Sequence, residues 1–306
     1  MSASHDIPVP SSPQGSSALI VGCGGLGCPA AAYLSAAGVG RVGLVDHDTV
    51  ELSNLHRQVL HTQARIGTGK AVSLAISLAA LNPSVDIVPY KLALTSSTAL
   101  AIIKQYDIVL DCTDNVATRY LLSDACLLAA KPLVSGSALR WEGQLTTYNH
   151  EGGPTYRCIH PNPPPADTVT NCSEGGVMGA VPGVIGSLQA LETIKILSGV
   201  GPSYSGSLLV FDGSEGKAKV VKLRKRKKEA EEEVTELIDY EQFCGAAATD
   251  KDGEVTLLPP EERITVQQLS AIKGSEEPHL VVDVRPEVAI YSQLILLCLL
   301  AFVTDP

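Results

Sequence analysis

The 306-residue sequence predicts an α/β fold: a doubly wound, mostly parallel, Rossmann-like sheet. Three observations carry that expectation. An apolar run, Ala18 to Val21, stops at Gly22-Cys23-Gly24-Gly25-Leu26-Gly27, so a strand leads through G-x-G-x-x-G into an Ala-rich stretch. Short apolar runs then alternate with segments of helical periodicity, the pattern of repeated β-α-β units. Several of these runs are apolar throughout, as in strands covered on both faces.

Residues 1–17 are rich in Ser and Pro and read as a disordered tail. After the first strand, Cys28 to Gly38 reads as a helix ended by glycine, and Val42 to Val45 as the second strand. A polar loop, residues 49–61, runs to the break Gly67-Thr68-Gly69. From Lys70 to Leu81, Val72, Leu74, Ala75, Leu78 and Ala79 recur at helical spacing, and Asn82-Pro83 stops the helix. Val85 to Val88 reads as a strand, and Thr95 starts a helix to about Gln105 by its capping type. Ile108 to Cys112 is a buried strand, Thr118 to Ala130 a helix, Leu133 to Ser135 a strand, and Ala138 to Asn149 an extended segment or hairpin. Glu151 to Val169 carries five prolines and reads as a long functional loop or crossover. Pro182 to Leu197 reads as a long helix, with Val184, Ile185, Leu188, Leu191, Ile194 and Leu197 on its apolar side. Ser207 to Phe211 and Lys219 to Leu223 read as an antiparallel pair. Basic residues 222–228 and acidic residues 229–233 follow, read as a solvated linker or helix with charge pairs. Val266 to Ile272 is helix-like, and Leu280 to Val284 opens a second α/β unit with too little chain after it to close.

The net charge of -10 argues against a general DNA-binding surface, which would be basic. Eight scattered cysteines with no C-x-x-C, and a polar start without a signal peptide, predict a cytosolic chain without disulfides. The longest apolar run, residues 294–303, is too short to span a bilayer, so no membrane partner is expected.

The glycine turn points to a nucleotide. Glycines let the backbone approach a phosphate, and the helix N-terminus offers N–H groups to negative charge. Asp46, at the end of the second strand, stands where an acidic residue binds a ribose hydroxyl. The glycines alone leave a dinucleotide and ATP undecided.

GCGGLG, VDHDTVELSNLHRQ, Lys70, DCTDN and TNCSEGG occur in that order, and together they resemble the ubiquitin-activating-enzyme-like adenylyltransferases. The resemblance spans roughly residues 19–245. It implies ATP-dependent adenylation of the C-terminal glycine of a ubiquitin-like sulfur-carrier protein, feeding tRNA wobble-uridine thiolation and molybdopterin biosynthesis. It implies Gly25 at the phosphate turn, Asp46 at the ribose, Ser53, Asn54, Leu55, His56 and Arg57 as the nucleotide loop, and Arg57 and Lys70 at the phosphates. Asp114, with Asn115 beside it, is implied as the carboxylate that holds Mg²⁺. Cys172 is implied as the thiol that takes the activated carrier or handles sulfur. A homodimer, and a cysteine desulfurase as a further partner, are implied too. The implied layout is an ATP-binding adenylyltransferase domain over 18–245, a linker over 246–263 and a truncated rhodanese-like segment over 264–306.

The sequence departs from the family at four places. Thr155 stands where the first C-x-x-C should begin, leaving Cys158, and the second C-x-x-C is replaced by residues 227–233, without cysteine. A structural zinc site needs four ligands, so zinc is expected to be absent. His160 is a spare donor that does not complete such a site. No arginine precedes Arg41, where the family has a helix with one that reaches its partner's ATP. Asp283-Val284-Arg285-Pro286 resembles the opening of a rhodanese-like domain whose persulfide cysteine the chain lacks, Cys298 being flanked by leucines. A shortened form without sulfurtransferase chemistry is therefore expected. A non-catalytic carrier-holding form is the alternative. A nicotinamide oxidoreductase is disfavoured because Arg57, Lys70 and Asp114 would have no role in it.

Overall fold

The computed structural model describes residues 13–165, 176–223, 234–245 and 264–274. Eight strands form one sheet: β1 (Ser17–Val21), β2 (Arg41–Val45), β3 (Asp86–Tyr90), β4 (Ile108–Asp111), β5 (Leu133–Leu139), β6 (Glu142–Tyr148), β7 (Ser207–Asp212) and β8 (Lys217–Lys222). Their order is β3-β2-β1-β4-β5-β6-β7-β8. The first five are parallel and the last three pair antiparallel. The helices are α1 (Gly27–Ala36), α2 (Lys70–Leu81), α3 (Ala99–Ile103), α4 (Val116–Leu128), α5 (Tyr156–Ile159), α6 (Ala180–Leu197), α7 (Tyr240–Cys244) and α8 (Val266–Lys273).

Successive side chains of a strand point to opposite faces, and β1 serves two cores that way. Ala18 and Ile20 pack with α1, α2 and α6, while Leu19 and Val21 pack with α3, α4 and α7. Strand runs without polar interruption thus matched two-sided burial. Ser17, assigned to the tail by composition, is the first residue of β1: its N–H and hydroxyl both donate to Asp107 Oδ2 at 2.8 Å.

Two helices differ from their sequence expectations. Thr95 does not open α3. Its hydroxyl bonds Ser97 and Thr98 in a polar turn, and the helix begins at Ala99. In α6, Val184 and Leu191 are exposed, while Gln189, Glu192 and Thr193 lie buried beside Ile185. Backbone bonding accounts for Gln189 and Glu192, while Thr193 Oγ1 is buried without a hydrogen-bond partner. Gln189 Nε2 donates to the carbonyls of Asp111 and Val134 at 2.7 and 3.0 Å, and Glu192 Oε2 accepts the N–H of Ser203 at 2.6 Å. Buried polar groups persist where such partners exist.

The segment after β6 is tied down by a charged cluster. Arg157 forms a two-pronged pair with Asp124 of α4, through Nε at 2.9 Å and Nη2 at 2.8 Å. The Tyr240 hydroxyl donates to Asp124 Oδ2 at 2.7 Å, and the guanidinium lies 4.8 Å from the centre of the Phe243 ring and 5.2 Å from that of Tyr120. Three segments distant in sequence meet on one carboxylate. Removing one partner of a buried pair strands the other charge. Asp124→Asn should therefore lower stability by about 2 kcal/mol, below the full buried-pair loss because Arg157 keeps some solvent contact. The urea midpoint should fall with an unchanged slope; an unchanged midpoint would mean the cluster does not hold these segments.

Candidate active site

The chain reverses its winding between β1 and β4, since α1 and α4 cover opposite faces of the sheet. In doubly wound sheets, ligands bind at the carboxyl ends of the strands at such a point. Here the exits of β1, β2 and β4 converge. Gly22 N–H donates to Val45 O at 2.9 Å, and Cys112 N–H to Val21 O at 2.8 Å. The glycines divide their work. Gly22 has φ +96°, and a Cβ there would meet Cys112 O at 2.5 Å; one on Gly27 would meet Gly22 O at 2.0 Å. Those two serve close packing. A Cβ on Gly24 would meet the Gln58 amide at 3.5 Å, and one on Gly25 would meet Pro182 at 3.1 Å and Arg57 O at 3.5 Å.

Asp46 follows β2. Its Oδ2 accepts the Cys23 N–H and its Oδ1 the Asp48 N–H, each at 2.8 Å, and burial raises its carboxyl above the usual range. Each oxygen keeps a lone pair with which to accept from a ribose hydroxyl. The loop from Glu51 carries the remaining expected contacts. Ser53 is exposed, Asn54, Leu55, His56 and Arg57 are half-buried, and Gln58 is buried. Arg57 Nη2 donates to Asn54 Oδ1 and Nη1 meets His56 Nε2, both at 2.8 Å. A guanidinium cannot accept, so His56 Nε2 holds the lone pair and Nδ1 the proton. That Nδ1 and Gln58 Oε1 are buried polar atoms without a hydrogen-bond partner. Such orphans fit a site completed by a polar ligand. Lys70 opens α2, and its Nζ pairs with Asp48 Oδ2 at 2.8 Å. Two cations, a glycine turn and a carboxylate on one rim suit a nucleoside phosphate.

Asp114 lies at the β4 exit, exposed, and no hydrogen bond or ion pair among the described residues engages it. Asn115 beside it caps α4, accepting the Thr118 N–H at 2.8 Å. A magnesium ion shared with phosphates needs one or two carboxylates, and Asp114 meets that need. Sequence reasoning missed what holds this exit. Asp111 is buried and accepts from the hydroxyls of Thr113 at 2.6 Å and Ser135 at 2.8 Å, and Arg119 Nη2 donates to Thr113 O. The only signal was an acidic residue ending an apolar strand. Beside the exit lies a cavity of about 140 Å³ lined by Arg119, Ser135, Gln144, Tyr148 and His160, among others.

Cys172 lies outside the described residues, as do residues 224–233 and the segment around Asp283. Thr155 donates to Cys158 Sγ through its N–H at 3.3 Å, and its hydroxyl is also 3.3 Å from that sulfur. Among the described residues no group of three or more His, Cys, Asp or Glu side chains could hold a metal. This position does not fit a four-ligand zinc.

Burial, then the Arg57 charge, pushes the His56 imidazole from 6.5 down to about 4, and burial lowers His61 and His160 in the same direction. Between those values the unfolded chain binds more protons than the folded one, so these groups add stability that is lost as pH falls through the window. The raised Asp46 opposes them in sign. The thermal midpoint should drop between pH 6.5 and 4, and His56→Gln should flatten that slope; an unaltered slope would mean His56 does not titrate this way.

The family model described as the ThiF family matches residues 14–233. The proteins named adenylyltransferase and sulfurtransferase MOCS3 from Sus scrofa and Danio rerio are 58% and 56% identical to this chain, each over 279 residues, covering 90% of it and 61% of their own length. The Aedes aegypti protein of that name is 57% identical, covering 88% of this chain and 63% of its own. The chain thus spans about 61% of the first two of these curated relatives. The E. coli MccB structure with ATP shares the fold, with a TM-score of 0.62 and 20% identity over 71% of this chain and 66% of MccB. Over most of its length, then, this chain belongs to the ThiF family.

Proposed function

We propose that this chain adenylates the C-terminal glycine carboxylate of a ubiquitin-like sulfur-carrier protein with ATP. The observation that carries the reading is the convergence of the Gly24-Gly25 turn, Arg57, Lys70 and the exposed Asp114 on one switch point. The name shared by the relatives supports it, as does the fold shared with MccB.

In the reaction, a carboxylate oxygen of the carrier attacks the α-phosphorus. The bond from that phosphorus to the β-phosphate bridge breaks, pyrophosphate leaves, and a carrier acyl-adenylate forms. Two anions must meet, so the barrier is largely electrostatic. Arg57, held by Asn54 and His56, and Lys70, released from Asp48, supply cations preset at the rim. Mg²⁺ held by Asp114 neutralises phosphate charge when bound. Asp46 takes the ribose, and the cavity at Arg119 receives the extended carrier tail. Cys172 then takes the activated carrier, the thiol displacing AMP to leave a thioester.

Around this step we place a homodimer, a cytosolic setting, a cysteine desulfurase as sulfur source, and supply of tRNA thiolation and molybdopterin synthesis. The structural core needs no zinc.

Carrier-dependent exchange of labelled pyrophosphate into ATP should be measurable on the purified chain. Asp114→Ala should cut it by about 100-fold or more, the scale of losing a charge-stabilising group. Cys172→Ser should keep exchange and lose a thiol-reducible carrier adduct. ATP and carrier binding without exchange would leave a carrier-holding protein in place of an enzyme. Elemental analysis should find well under one zinc per chain, and one equivalent would overturn the zinc-free reading.

A further inference from the structure

His61 is 5% exposed, and nothing in the glycine or loop motifs assigns it a role. Both of its ring nitrogens are engaged. Nε2 lies 2.9 Å from the Cys23 carbonyl oxygen, and Nδ1 2.9 Å from Ser73 Oγ. A carbonyl only accepts, so Nε2 carries the proton and donates to it. Nδ1 then accepts from the Ser73 hydroxyl. Ser73 is wholly buried in α2, so the ring braces the glycine turn against a helix.

The brace has a direction. In a planar trans peptide the C=O and the following N–H point opposite ways. No peptide bond among the described residues is cis. With Cys23 O drawn to His61, the Gly24 N–H faces away from it, and no hydrogen bond among the described residues uses that N–H. The preceding peptide is held independently, because its Cys23 N–H donates to Asp46 Oδ2. Gly24 itself offers little resistance to a flip: it has no side chain, and a Cβ would find its nearest contact at 3.5 Å.

We infer that His61 is a positioning residue that fixes the Cys23–Gly24 peptide, so that the Gly24 N–H is presented to a phosphate of the bound nucleotide. The inference rests on the ATP reading above and adds to it an orienting group on a separate element. It also gives the Gly24-Gly25 pair, which has no side chains, a source of rigidity.

Four proteins test it: the full chain, His61→Ala, His61→Gln and Ser73→Ala. Two readouts are needed: ATP affinity by calorimetry, and amide hydrogen exchange of residues 22–27 without nucleotide. His61→Ala should weaken ATP about 10-fold, the equivalent of one net hydrogen bond. It should also speed exchange in 22–27 while leaving α4 protected. In His61→Gln the amide replaces the Nε2 donor and should restore affinity to within about 3-fold, with loop protection near that of the parent chain. Ser73→Ala should fall between the two. Wild-type protection of 22–27 in His61→Ala overturns the inference, and so does equal impairment of the Ala and Gln variants. Should the unaltered chain bind no ATP, the adenylation reading fails, while the exchange comparison still decides whether His61 holds the turn.

Discussion

Backbone-to-backbone approach at the exits of β1 and β4 is the constraint on which the rest depends. Gly22 lets the chain leave β1 in a left-handed conformation against Cys112 O, and Gly27 lets α1 start directly over Gly22 O. A methyl group at either position would overlap a carbonyl. Only with both in place does α1 begin at the crevice rim. The same device repeats around α6. A Cβ on Gly186 would strike Leu26 O at 2.2 Å, and one on Gly179 would strike His56 O at 2.3 Å. The glycine turn, the loop carrying Arg57 and the start of α6 are thus one interlocked unit, assembled by bare backbone.

That unit explains the division between what could be read from the chain and what could not. β1, β2 and α2 were legible because hydrophobic runs and stop signals are local. The glycine turn and Asp46 were read from spacing along a β-α-β unit, whereas Arg57, Lys70 and Asp114 came from the family resemblance; they lie on the loop after β2, at the start of α2 and at the β4 exit. Gln189, Asp111 and Glu192 were not. Gln189 and Glu192 satisfy backbone groups outside their own helix, and Asp111 joins its neighbour Thr113 to the Ser135 hydroxyl 24 residues on, so no short window contains all the partners. The face of α6 was misread for the same reason: Leu191 is exposed so that polar neighbours can reach strand and loop backbone. His61 escaped notice because its partners lie 38 residues before it and 12 after it.

Charge at the crevice is arranged with equal economy. Arg57 rests on two neutral acceptors, Asn54 and His56, while Lys70 rests on the carboxylate of Asp48. His56 can hold Arg57 only while its Nε2 is unprotonated, and the proximity of the guanidinium helps to keep it so. The contact is self-consistent: the cation lowers the basicity of the ring that supports it. Its Nδ1–H is left as an unpaired donor, next to a loop where negative charge would be welcome.

The segment after β6 shows how different chemistry can make the same connection. A metal joins distant chain segments through ligands on each, and the family resemblance places such a joint at Thr155 and Cys158. Here one sulfur meets a threonine hydroxyl, and the connection between α4, α5 and α7 runs through the Asp124 carboxylate instead. Asp124 accepts from Arg157 and Tyr240 at once, and Tyr120 and Phe243 cover the guanidinium faces. An aromatic shell of this kind lets a charge pair be buried with its hydrogen bonds satisfied, which is the condition for such a pair to hold chain segments together. The joint is therefore directional, fixed by two-pronged geometry rather than by a tetrahedral ion. It is sensitive to loss of a single carboxylate oxygen.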